Sequence, residues 1–189
     1  MAQKTANQLR IIGGDWRSRR FVFPDALGLR PTPDRVRETL FNWLAAVTPG
    51  ARVLDPFAGS GALLLEALSR GAGQALAFDL NAQAATALRG HLQTLDCAQA
   101  EVRQTDALQA LAKPAEAPFD LVFLDPPFGK DLLEPACAAL EAQGWLAADA
   151  WIYTESETQP SRLTLPATWQ LHREKKTGNV HYALWHRQA

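Results

Sequence analysis

The chain has 189 residues, 47% hydrophobic and 21% charged, a balance that fills the core of one soluble domain and excludes a disordered or low-complexity chain. No apolar run approaches the roughly 20 residues that cross a bilayer, and polar Met1–Arg10 has no signal-peptide core, so a cytoplasmic protein without membrane contact is expected. Net charge is −1, but residues 1–50 carry 8 Lys/Arg against 4 Asp/Glu, residues 51–150 carry 6 against 13, and residues 151–189 carry 5 against 3; such basic ends suit a polyanion.

Two β-type runs, Leu9–Ile12 and Arg20–Phe23, flank Gly-Gly-Asp-Trp-Arg-Ser-Arg and predict a hairpin with a long basic tip. Arg10, Arg17, Arg19 and Arg20 around Trp16 suit phosphate contact with base stacking, although a solvated loop anchored by Trp16 has the same pattern. Residues 24–31 read as a linker. Thr32-Pro33-Asp34 reads as a helix start, with a Thr cap, Pro in the first helical position and an acid in the first turn. Val36, Leu40, Trp43, Leu44 and Val47 then recur at helical spacing to near Pro49-Gly50, leaving Arg35 and Glu38 on other faces. This helix is expected to pack on the main sheet and carry the hairpin. Residues 1–50 thus form a basic extension of a main domain over 51–189.

From there strand and helix alternate: strand 51–54, helix 61–70, strand 74–79, helix 81–95, strand 100–104, a short turn or helix at 106–112, strand 119–124 and helix 131–143. The order predicts an α/β fold with a parallel sheet and right-handed crossovers. After Gly144 come strand 150–155 and two β-type runs, 168–174 and 180–186, joined by the hairpin turn Lys-Lys-Thr-Gly-Asn. The last strand should therefore run antiparallel at or near an edge. Cys97 and Cys137 are isolated, and His91, His172, His181 and His186 show no ligand spacing, so free thiols and no metal are expected.

Residues 53–66 are the central stretch: an apolar strand, a turn holding Asp55, Phe57, Ala58, Gly59 and Gly61, then a run of helix formers. Backbone N–H groups at such a helix start form an anion site. A dinucleotide turn normally continues as G-x-G-x-x-G, whereas Leu64 holds the third place here, and the G-K-[ST] ending of a phosphate loop is missing. A carboxylate at the strand tip would also repel a pyrophosphate. The ligand that fits is a nucleoside without phosphates that carries a positive group. S-adenosylmethionine meets that description, its ammonium facing Asp55 and its carboxylate the helix N-terminus. The plainer alternative is that Asp55 caps the helix and the glycines only turn the chain.

Three further acids fall at carboxyl ends of strands, where open α/β sheets bind ligands. Asp79, followed by Leu80, sits at the offset from Gly59 usual for an acid that accepts ribose hydroxyls; as an alternative it caps the next helix. Asp106, with Ala107 behind it, suits the adenine amino group or a local cap. Asp125-Pro126-Pro127-Phe128 forms a rigid turn without helix or ladder bonding. An exocyclic amino group is a poor nucleophile because its lone pair is delocalised into the base. The Asp125 carboxylate and Pro126 carbonyl can bind its two hydrogens and favour a pyramidal nitrogen, with Phe128 stacked on the base.

With these motifs placed, the chain resembles class I S-adenosylmethionine-dependent methyltransferases. More narrowly it resembles the RsmD family, which methylates the exocyclic N2 amino group of one guanine in 16S ribosomal RNA. The marks are Arg10-Ile-Ile-Gly-Gly with Trp16-Arg17-Ser18-Arg19, then Leu29-Arg-Pro-Thr-Pro-Asp-Arg-Val-Arg-Glu-Thr-Leu-Phe-Asn-Trp-Leu44. They continue through Leu54-Asp-Pro-Phe-Ala-Gly-Ser-Gly-Ala-Leu63, Leu68-Ser-Arg-Gly71, Asp125-Pro-Pro-Phe128, Gly144-Trp-Leu146 and Leu171-His-Arg-Glu-Lys175.

The resemblance implies a Rossmann-like, seven-stranded, mostly parallel sheet with an antiparallel last strand. It implies S-adenosylmethionine as methyl donor, S-adenosylhomocysteine as product, and a substrate that is the small ribosomal subunit or its assembly intermediate. Asp55, Gly59 and Gly61 would hold the methionyl part, Asp79 the ribose, Asp106 the adenine side and Asp125 to Phe128 the guanine. Arg30 and Arg35 join Arg10, Trp16, Arg17, Arg19 and Arg20 as expected RNA contacts, and the protein is expected to be a monomer. Many members carry Glu where this chain has Asp79. A DNA amino-methyltransferase would share the central motifs but usually adds a target-recognition segment, for which 189 residues leave no room. A nicotinamide oxidoreductase is disfavoured by Asp55 and Leu64, and a non-catalytic RNA-binding module leaves the acidic strand tips unexplained.

Overall fold

A computed structural model describes residues 7–24 and 31–188. Arg30, expected among the RNA contacts, lies outside the described residues, as do positions 1–6. The first elements are an antiparallel hairpin, β1 (Gln8–Arg10) and β2 (Arg20–Val22), in which Leu9 faces Phe21. Helix α1 (Asp34–Trp43) follows. It starts without the expected Thr cap: Pro33 takes the N-cap position, no side chain caps the helix, and Thr32 before it is buried. After Trp43 the chain leaves the helix in successive turns, with the Val47 and Thr48 N–H groups both donating to the Leu44 carbonyl.

Strand and helix then alternate as β3 (Arg52–Asp55), α2 (Ala62–Ser69), β4 (Gln74–Asp79), α3 (Ala82–Thr94), β5 (Ala100–Gln104), α4 (Ala107–Leu111), β6 (Phe119–Leu124) and α5 (Leu133–Ala142). The last three strands are β7 (Leu146–Ser156), β8 (Trp169–Thr177) and β9 (Val180–Arg187). They build one seven-stranded sheet in the order β5-β4-β3-β6-β7-β9-β8. The strands from β5 to β7 pair in parallel, and β9 runs antiparallel to both of its neighbours, one place in from the edge. β7 starts four residues earlier than expected because Leu146 pairs with Phe119 before a register shift places Trp151 opposite Leu121. In that irregular stretch Ala148 and Asp149 are exposed, so the alternation that betrays a strand is interrupted.

Because parallel strands are covered on both faces, their residues divide between two cores. Val53, Ala77, Leu121, Phe123 and Tyr153 pack on the side of α1, α2 and α3, together with Leu9, Ile11, Phe21 and Phe23 of the hairpin. Leu54, Phe78, Val122, Leu124 and Ile152 pack against Leu111, Leu133, Cys137 and Leu140 on the other side. From β3 the chain winds out to β5 and then returns to lay β6 on the opposite flank of β3. The order of strands therefore reverses between β3 and β6, the crevice in which such sheets bind ligands.

Candidate active site

The glycine loop after β3 is stitched to the end of β4. The Ala58 N–H donates to the Phe78 carbonyl at 3.0 Å, and the Gly59 N–H donates to Asp79 Oδ2 at 2.7 Å. Gly61 ends the loop at φ +78°, and a Cβ there would lie 2.4 Å from Leu88 Cδ1, so both backbone shape and space demand glycine. No side chain caps α2, which leaves the backbone donors of its first turn facing the loop. Asp55 therefore is not that helix's cap. Asp55 is buried, accepts from the Phe57 backbone, and has no Lys or Arg partner among the described residues. Burial pushes its carboxyl up to about 8; the Phe57 bond opposes this and the Asp79 charge adds to it.

Asp79 does not cap α3 either. Its Oδ1 accepts from the Asn81 N–H at 2.7 Å, and Asn81 is the cap, accepting from Gln83 and Ala84. Asp79 thus braces two backbone segments, and each oxygen retains a second lone pair for a ligand hydroxyl. Leu80 beside it is 70% exposed. Asp106 does cap α4, accepting from the Gln109 N–H at 2.9 Å, with Ala107 buried behind it.

Across the crevice, Pro126 is buried while Pro127 and Phe128 are exposed, Phe128 by 43%. Asp125 is raised well above the usual carboxylate range, first by burial and then by the charges of Glu155 and Asp55, with a Thr32 hydrogen bond opposing. Glu155, near the end of β7, is raised by burial against hydrogen bonds from Tyr153 and Thr32. The Tyr153 hydroxyl lies 2.7 Å from Glu155 Oε1. Glu155, Thr32 and Tyr153 were missing from the sequence-based set. The rule that found Asp55 and Asp125, acids at strand tips, applies equally to Glu155; nothing local marks Thr32. A separate concavity of about 540 Å³, lined by Arg52, Gln74, Glu101, Arg103 and Lys113, holds none of the strand-tip acids. Among the described residues no group of His, Cys, Asp and Glu is placed to hold a metal ion, and no helix is long and apolar enough to cross a membrane.

The hairpin is held on α2 by a buried polar knot. Glu66, fully buried, accepts from the Ile12 N–H at 2.9 Å, the Gly13 N–H at 2.8 Å, Arg70 Nε at 2.8 Å and Arg37 at 3.3 Å. Arg37, 1% exposed, also donates to the carbonyls of Arg10 and Thr32 and to Asp34. Gly14, at φ +75°, lies so close to α2 that a Cβ would fall 1.8 Å from the Ser69 carbonyl oxygen. Of the expected RNA contacts, Arg17, Arg19, Arg20 and Arg35 are exposed. Arg10 is also exposed but pairs with Asp34 at 2.8 Å, and Trp16 is half-buried against the core, which gives it an anchoring role.

A family model described as conserved hypothetical protein 95 matches residues 9–186. The chain is 50% identical to ribosomal RNA small subunit methyltransferase D of Escherichia coli over 97% of its own length and 92% of that protein's. It is 46% identical to the protein of the same name in Haemophilus influenzae, over 94% and 93%. The solved structure of yhhF from Escherichia coli, a candidate methyltransferase, superposes with a TM-score of 0.90 at 48% identity, covering 97% of this chain and 99% of that one.

Proposed function

The chain belongs to the RsmD family, and on that premise we propose that it transfers a methyl group from S-adenosylmethionine to the N2 amino group of one guanine in the 16S RNA of the small ribosomal subunit or its assembly intermediate. The observation that carries this reading is the pairing of two motifs across the switch point: a buried carboxylate at the tip of β3 with no Lys or Arg partner among the described residues, and the Asp125–Phe128 turn after the adjacent β6. A methyl donor with an ammonium group supplies the cation that Asp55 lacks, and its arrival draws Asp55 into the charged form. The free backbone donors at the start of α2 suit its carboxylate, the spare lone pairs of Asp79 its ribose, and exposed Leu80 with Asp106 and Ala107 its adenine. When bound, S-adenosylmethionine would supply a sulfonium methyl carbon for a nitrogen lone pair to attack, with the thioether sulfur as leaving group.

Asp125 and the Pro126 carbonyl accept the two hydrogens of the guanine amino group, and Phe128 stacks on the base. The proline pair holds these acceptors in place before substrate arrives, so little ordering remains for the reaction itself. Arg17, Arg19, Arg20 and Arg35 carry exposed positive charge to the RNA backbone on an extension formed by residues 1–50. A protein that acts on ribosomal subunits works in the cytoplasm.

The test is transfer of labelled methyl from S-adenosylmethionine to unmethylated small subunits, naked 16S RNA, tRNA and duplex DNA, followed by digestion to nucleosides. Label is expected in N2-methylguanosine from subunits. Label confined to methyladenine or to DNA would overturn the assignment.

A further inference from the structure

On the methyltransferase reading the Asp125 turn receives one guanine, and the phosphates beside that guanine must be held while its amino group is aligned. Strand register shows which cations stand nearby. At the carboxyl end of β6, Leu124 faces Thr154 of β7; in the next row Glu155 of β7 faces Tyr182 of β9, and Tyr182 faces Lys175 of β8. One row further, Ser156, His181 and Lys176 lie side by side. With strands about 4.8 Å apart, Lys175 stands roughly 15 Å across the sheet from the Asp125 turn.

β8 is the edge strand, and every residue after Trp169 is exposed, so it presents both faces and a free edge. Its charge is unevenly placed. Gln170, Leu171 and His172 lie toward the amino end of β7, whereas Arg173, Lys175 and Lys176 occupy the half nearer the Asp125 turn. Arg173 and Lys175 face Leu184 and Tyr182, so both stand on the face that carries α1, where Tyr182 stacks on Trp43 at 5.8 Å. Glu174 between them belongs to the other face. Among the described residues none of Arg173, Lys175 and Lys176 forms an ion pair, although Arg103 pairs with Glu101 and Arg187 with Glu141. Two cations about 7 Å apart on one strand face repel each other, and a polyanion relieves that repulsion. Edge strands also carry lysines to refuse another strand, but that purpose does not require the charges to gather at one end.

The tip of the N-terminal hairpin is placed differently. It is tied to Ser69, whose hydroxyl accepts from the Trp16 N–H at 2.9 Å and whose carbonyl accepts from the Asp15 N–H at 2.7 Å. Ser69 ends α2, just before β4 starts at the amino side of the sheet, so Arg17 and Arg19 are set back from the Asp125 turn.

We propose that the β8–β9 hairpin is a second RNA-binding arm, in which Lys175 and Lys176, with Arg173 behind them, hold phosphates adjacent to the target guanine. They do so on the flank of β6 away from the cofactor loop. The inference rests on the methyltransferase reading and adds to it the surface that seats the guanine's own strand. The occupant is RNA rather than a protein because β8 offers unpaired cations and has Leu171 as its one exposed large apolar residue.

The experiment measures methyl transfer from S-adenosylmethionine to unmethylated small subunits by the full-length protein. Replacing Lys175 and Lys176 together by Gln should raise KM for subunits about tenfold and flatten the slope of log KM against log salt by about 1 to 2. In that variant kcat should change far less, and KM for S-adenosylmethionine and the melting temperature should stay as in the wild type. Lys175→Arg with Lys176→Arg should restore KM for subunits. A photo-crosslinking residue in place of Lys175 should attach to 16S RNA close to the methylated guanine. An unchanged subunit KM in the Gln pair, or crosslinks confined to ribosomal proteins or to RNA remote from that guanine, would overturn the inference. No transfer by the wild type to any nucleic acid would overturn the methyltransferase reading itself, and this inference with it.

Discussion

The molecule buries acids in two places and treats them in opposite ways. Glu66, on α2, is surrounded by two backbone amides and two arginines, and its partner Arg37 spends its other donors on Asp34 and on the carbonyls of Arg10 and Thr32. Every charge in that knot has an opposite, and the result is a clamp that fixes the hairpin and α1 on the sheet. At the strand tips buried Asp55 and Glu155 lie with half-buried Asp125, with no Lys or Arg partner among the described residues, and all three are held above the usual carboxylate range. A buried acid with its partners in place is finished structure, whereas one without them stores a demand that a ligand or a proton must meet. Thr32 joins the two regions, its carbonyl in the clamp and its side chain beside Asp125 and Glu155.

Substitutions should separate the two kinds of acid. The largest effect is expected for Asp125→Ala, which should lower methyl transfer by about a thousandfold or more while stabilisation by S-adenosylhomocysteine persists. Transfer assays beside thermal melts check this, and full activity in the variant would remove Asp125 from the chemistry. Glu66→Leu should do the reverse. It leaves Arg37 with Asp34 as its one acid and takes the acceptor from the Ile12 and Gly13 amides and from Arg70, and should cost about 3–5 kcal/mol in urea unfolding, with residual folded protein still competent in transfer.

A third test uses pH. An acid whose pKa is raised by folding holds a proton that the unfolded chain has lost, so its stabilisation is complete at low pH and is given up as pH rises through the folded value. For Asp55 that window runs from an ordinary 3.8 to about 8, and Asp125 and Glu155 act with the same sign. The ligand-free protein should therefore lose thermal stability across this window. The increment added by S-adenosylhomocysteine, whose ammonium prefers charged Asp55, should grow over the same range. Melts from pH 5 to 9 with and without the ligand measure both trends, and Asp55→Asn should flatten them.

The smallest effect on the fold belongs to the exposed arginines. Replacing Arg17 and Arg19 together by Ala should leave the melting temperature unchanged. It should weaken subunit binding and reduce the slope of log affinity against log salt by about 1 to 2. A slope equal to that of the wild type would place the hairpin tip away from the RNA.

Much of this was legible in the residues themselves. Strand and helix limits from β3 to α5 follow from hydrophobic period and from punctuation such as Gly59, Gly61, Pro126 and Pro127, all local signals. The strand tips carrying Asp55, Asp79, Asp106 and Asp125 follow from the alternation of elements. Thr32 misled because Ser or Thr before Pro-Asp is a helix start by every local rule, and only the fold buries it beside Asp125 and Glu155. Arg37 and Glu66 were equally silent: each looks like a surface charge on an amphipathic helix until the hairpin closes over it.

The chain's own order of residues thus determined the α/β architecture, the glycine loop and the rigid Asp125–Phe128 turn, because periodicity, glycine and proline act within a few residues. Tertiary structure alone decided which acids are paired and which are left bare. That outcome depends on burial and on partners far along the chain, from Arg37 to Glu66 and from Thr32 to Glu155, and neither exists until the sheet has assembled.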